Sequence, residues 1–271
     1  MDNYLTFASA EPFTIAVQNA TKNWDGTLYY STDTTTWSEW DSATAIASAE
    51  HGGKQKIYMR GSGNSVIGGS AKMGWVLTGT NIRCDGNIEN LLDYETVANG
   101  EHPSMASMCY GSLFYGCASL IKAPELPATT LADSCYRNMF RGTGLTKAPE
   151  LPATTLADSC YRCMFQDCAN LKISETQTDE YTTEYRIPSS GTGIEASNSL
   201  NSMFSGTGGT FNIFDPEINI TYYGAWVEEE TGGGETEPLS FIKFLCSPNY
   251  PYMPKNLFGW KLALKRGDLN G

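Results

Sequence analysis

Sixteen residues, KAPELPATTLADSCYR, occupy positions 122–137 and recur unchanged at 147–162. A duplicate at this spacing constrains the fold more than any other feature. A period of roughly 20 to 50 residues marks an array in which each repeat forms one turn. One turn cannot bury its own apolar side, whereas stacked turns bury it against each other and align identical positions in ladders. A wider motif, Cys-Tyr-x-x-(Met/Leu)-Phe, appears as CYGSLF at 109–114, CYRNMF at 135–140 and CYRCMF at 160–165, each followed by a leucine (Leu120, Leu145, Leu171). A degenerate copy, LNSMFSGTGGTF, lies at 200–211, behind an insertion. Pro124, Pro127, Pro149 and Pro152 forbid an ordinary helix or central strand through APELP, so a short extended step is expected there. The spacing of Leu131, Cys135 and Met139 predicts a short helical turn on the opposite wall, with Phe140 also inward.

The first eighty residues have another character. FTIAV at 13–17 alternates, with Phe13, Ile15 and Val17 on one face. TLYYSTDTTTWSEW at 27–40 reads as strand, turn and strand; KIYMRG at 56–61 and MGWVLTG at 73–79 read as two more strands. The expected fold is mainly β with short helices. It consists of a small sandwich over 1–80 and a solenoid with caps over 81–225. An acidic, glycine-rich linker follows at 226–238, then a docking segment at 239–271. That last segment is aromatic and basic, with Lys243, Lys255, Lys261, Lys265 and Arg266 against Asp268, and is too short for a core of its own.

The net charge of −12 argues against nucleic acid, whose binding begins with neutralising phosphates. No apolar run approaches the roughly 18 residues that a membrane span needs. The N-terminus has no basic region followed by an apolar run, so no signal peptide is read there.

CASLIKAPELPATTLADSCYRNMF resembles the BspA-like leucine-rich repeats of gut anaerobes and of the tailed phages that infect them. LYYSTDTTTWSEW is similar to a hairpin of the small immunoglobulin-like sandwich that often precedes such repeats, and CDGNIENLLD resembles the junction that follows it. The resemblance covers residues 4–225 and leaves 239–271 outside. It implies a short, right-handed leucine-rich-repeat solenoid displayed on a surface for adhesion or host recognition, with no common catalytic site. Two departures stand out. Only two full repeats are present, and RGTGL at 141–145 lacks the usual cysteine.

Cys160 and Cys163 form a C-x-x-C, but Cys109, Cys135 and Cys160 share one repeat position and read as a ladder of small buried groups. No metal, redox group or other cofactor is expected. His51 and His102 lie in loop-like sequence without a nucleophile context. STDTTTW at 31–37 resembles a shortened Asp-box, a turn-stabilising motif. The repeat rows offer the binding candidates: Lys122 with Lys147, Glu125 with Glu150, Arg137 with Arg162, and Tyr136 with Tyr161. Trp37 and Trp40 face opposite sides of an extended strand, and Trp40 is the candidate for the exposed one. The expectation is a non-enzymatic protein of the virion surface, a tail or head appendage. Its partners would be a bacterial surface glycan or protein receptor and, through 239–271, other virion proteins; self-association is compatible with this. The alternative is a bacterial cell-surface adhesin that binds host protein or glycan.

Overall fold

The computed structural model describes residues 4–69, 74–153, 155–171, 199, 201–203 and 205–207. The linker and docking segment expected at 226–238 and 239–271 lie outside them. The fold is mainly β with few helices, in mixed sheets that do not close into a barrel. The strands are β1 (Leu5–Ser9), β2 (Thr14–Val17), β3 (Thr27–Ser31), β4 (Ser38–Glu39), β5 (Ile46–Ala47), β6 (Ala49–Glu50), β7 (Gln55–Ser62), β8 (Trp75–Thr78), β9 (Ile82–Asp85) and β10 (Leu120–Lys122). Among the described residues there is one short α-helix, α1 (Tyr94–Ala98), capped by the Asp93 side chain, which accepts from the Thr96 N–H.

The larger sheet runs β10-β9-β1-β7-β3-β4, with β6 also on β7; the smaller runs β5-β2-β8. All four sequence-predicted strand regions are present, and Phe13, Ile15 and Val17 share a buried face as the alternation requires. The sheets meet across a common core, where Phe7 of β1 lies against Trp75 of β8. The hairpin between β3 and β4 turns on Asp33, which accepts from the Thr35 and Thr36 N–H groups. These bonds, the Thr36 bond foremost, hold its carboxyl well below the usual carboxylate range.

Backbone bonding runs on past residue 80. Strand β9 pairs antiparallel with β1 on one side and parallel with β10 on the other, so the first repeat joins the sheet directly. On the other wall, Tyr110 donates to the Ile67 carbonyl, and Trp75 donates to that of Leu113. One continuous core follows from Leu5 to Met203.

The wall carrying the Cys-Tyr motif is not the helical turn that its spacing suggests. It is a run of overlapping turns in which alternate N–H groups have different destinations. In the second copy Cys135, Arg137, Met139, Arg141 and Thr143 each donate to the carbonyl three residues back. Ser134, Tyr136, Asn138, Phe140 and Gly142 donate to Asp158, Cys160, Arg162, Met164 and Gln166 of the third copy. Every backbone donor from 134 to 143 is thereby satisfied, half within the copy and half between copies. The third copy donates in turn to Ser199, Asn201, Met203 and Ser205, so these described residues continue the stack.

The cause is a left-handed residue every fourth position: Ser134, Asn138 and Gly142 in the second copy, Ser159, Cys163 and Asp167 in the third. Each interrupts the helical hydrogen-bond pattern and turns the chain. For residues other than Gly, Asn and Asp this conformation costs about 1–2 kcal/mol. Cys163, at φ 55°, pays that cost, whereas its equivalent Asn138 has the same φ and a side chain suited to it. Cys163→Asn is therefore expected to raise stability by about 1 kcal/mol, seen as a higher urea midpoint at unchanged slope.

Candidate functional site

The two KAPELP steps lie side by side and open a groove of about 610 Å³. The groove exists because proline interrupts strand pairing. After β10, the only bridges along this wall are Asn87 to Glu125 and Thr130 to Thr155, among the described residues. Ala123, Pro124, Leu126 and Ala148 are buried and form its floor, while Pro127 and Pro149 are half-buried and Pro152 is exposed. Lys122, Glu125, Lys147 and Glu150 are exposed and complete the lining.

These four charges are not equivalent. The Lys122 ammonium is paired with the Asp85 carboxylate, from the neighbouring strand β9, and Lys147 is not without a partner either. Glu125 is held by its backbone alone: its N–H donates to Gly86 at 2.9 Å and its carbonyl accepts from Ile88 at 3.0 Å. Among the described residues, neither the Glu125 nor the Glu150 carboxylate has a hydrogen bond or ion pair. The groove is thus apolar below and acidic at its edge.

Of the sequence-predicted site residues, the structure gathers Lys122, Glu125, Lys147 and Glu150 in this groove. Arg137 and Arg162 are half-buried on the wall of the Cys-Tyr motif and do not line it. Tyr136 and Tyr161 are corrected from contact residues to core. Each is 1% exposed, and the rings of Tyr110, Tyr136 and Tyr161 stack nearly parallel at 5.7 and 5.9 Å. Identical positions in stacked turns fall in register, so the phenols cover one another, and burial pushes their ionisation well up.

Trp40 is likewise a core residue. Its ring stacks on Trp24 at 5.2 Å and meets Trp75 edge-on, while its Nε1 donates to the Thr44 carbonyl. Trp37 faces outward instead, half-buried, with the Arg60 guanidinium 4.1 Å over its ring.

Two features were not visible in the sequence. Glu89 is 2% exposed, with both carboxylate oxygens within 3.0 Å of His102 Nδ1. The clue was a lone acid inside the apolar stretch NIENLL. Arg141 pairs with Asp167, one turn further along the stack, and lies over the Tyr115 ring. The seven described cysteines are free thiols, six of them buried. Burial pushes the Cys160 thiol up to about 11, which makes it a poor nucleophile at neutral pH. Among the described residues, no group of three or more His, Cys, Asp or Glu is placed to hold a metal ion. No helix among them is long and apolar enough to cross a membrane.

No family model, no curated protein and no solved structure matches this chain.

Proposed function

We propose that this chain is a non-enzymatic attachment protein of a phage virion, in which an immunoglobulin-like sandwich carries a short BspA-like leucine-rich-repeat solenoid. The KAPELP groove is its contact surface for a receptor on the bacterial host. The observation that carries this reading is the groove itself: an apolar floor edged by one lysine and one glutamate from each copy of the duplicated segment. Concave surfaces of stacked repeats are where such folds bind, and exposed charge repeated at one position serves recognition better than it serves stability. The ladder of buried free thiols supports assembly in a reducing compartment, as expected of a virion protein folded inside its host.

The test is binding of the labelled full chain to a panel of intact gut anaerobes. Strain-selective binding is expected. The variant K122A/E125A/K147A/E150A, in which all four replaced side chains are exposed, is expected to bind at least tenfold more weakly, equivalent to about 1.4 kcal/mol. R137A/R162A, outside the groove, is expected to bind as the parent does. Equal binding by the parent and the groove variant would remove the groove from receptor contact.

A further inference from the structure

We propose that the groove is occupied in the free protein by the chain's own C-terminal segment, residues 239–271. The segment and the rest of the chain carry opposite net charge. That segment carries five basic residues against one acidic. The other 238 residues therefore carry −16, four more negative than the whole chain at −12. Attraction to this surface is general; the groove makes it local. Its two lysines are already engaged, while the carboxylates of Glu125 and Glu150 stand without partners among the described residues. The groove thus presents unpaired negative charge over an apolar floor.

The segment has the matching chemistry. In NYPYMPKNLFGWKLALKR, at 249–266, Tyr250, Tyr252, Phe258 and Trp260 alternate with Pro251, Pro254, Lys255 and Lys261. Aromatic and proline side chains suit a proline- and alanine-lined trough, and lysines spaced among them can reach carboxylates at its edge. A volume of 610 Å³ takes several such side chains and not the whole segment, so part of it seats and the rest flanks. Because the segment belongs to the same chain, a weak intrinsic affinity suffices.

The test uses the full chain and no cells, so it can fail independently of receptor binding. A zero-length carboxyl-to-amine cross-linker is applied at low micromolar protein, and linked peptides are mapped by mass spectrometry. Links from Glu125 or Glu150 to Lys255, Lys261 or Lys265 are expected within the monomer, several-fold fewer in 0.5 M salt. In parallel, trypsin cleavage after Lys261 and Lys265 is timed in the parent and in E125K/E150K, whose replaced side chains are exposed. Cleavage is expected at least fivefold faster in the variant. Absence of these links, links confined to dimers, or equal cleavage rates would each overturn the proposal.

Discussion

Phe140→Ala is expected to cost about 3–5 kcal/mol, as truncations of buried aromatics do. The ring is fully buried and lies between Phe114 at 5.6 Å and Phe165 at 5.8 Å, with interplanar angles of 10° and 3°. Its removal leaves a void with a ring on each side, and neither neighbour can collapse into it, because the backbone of each copy is pinned to the next by hydrogen bonds at alternate residues. Phe140→Leu separates the contributions. It keeps most of the apolar volume and loses two ring pairs, each worth about 0.5–1.5 kcal/mol beyond area burial, so a cost of about 1–3 kcal/mol is expected. Urea unfolding monitored by near- and far-UV circular dichroism is the measurement. A loss below about 1.5 kcal/mol for Phe140→Ala would mean that the stack relaxes as a unit. Because the core is continuous from the sheets into the repeats, both probes are expected to follow one transition in each variant.

The stack was legible in the sequence as rows and illegible as faces. Exact duplication announces that Tyr136 and Tyr161 align, but not whether they point in or out. Helical or strand periodicity would separate the adjacent residues Cys135 and Tyr136 onto different faces. With a left-handed residue every fourth position, two neighbours turn inward together and the next two outward. Cys135 and Tyr136 are buried, Arg137 and Asn138 half-buried, Met139 and Phe140 buried again. This period of four is neither 2 nor 3.6, and it explains both the missing helix and the misplaced tyrosines.

Strands β2 and β8 were readable because buried and outward residues alternate along each. The sides of Trp37 and Trp40 were not. Spacing says only that they differ, and the choice is made by Trp24 and Trp75, partners distant in the chain. The groove was half legible. Lys122, Glu125, Lys147 and Glu150 could be named from repetition, yet their charges do not count alike, because Asp85 comes from a strand 37 residues earlier and neutralises Lys122.

Gly144→Ala is expected to destabilise by about 3 kcal/mol, at the upper end of what overpacking usually costs. The cause lies in the copy that is one residue short. From the motif cysteine to the following leucine the distance is eleven residues in the first and third copies, Cys109 to Leu120 and Cys160 to Leu171, but ten in the second, Cys135 to Leu145. With Cys135 and Leu145 both held in the core, the shorter chain is drawn tight at RGTGL, and a β-carbon at position 144 would fall on the backbone carbonyl of Ala118. The obstacle is main chain, itself fixed by the Ala118 N–H bond to the Gly116 carbonyl, so no rotamer change relieves it. Gly144 does not have a positive φ, which makes the cost steric and not conformational. A reciprocal variant tests that account: replacing Gly144 with Ala-Ser restores the eleven-residue spacing of the first copy. Although it adds more atoms, it is expected to cost less than the single methyl, because the chain can then follow the path of Ala118 and Ser119. Thermal unfolding of both variants decides it. If the insertion proves the more damaging, tension from the missing residue does not hold Gly144 against its neighbour.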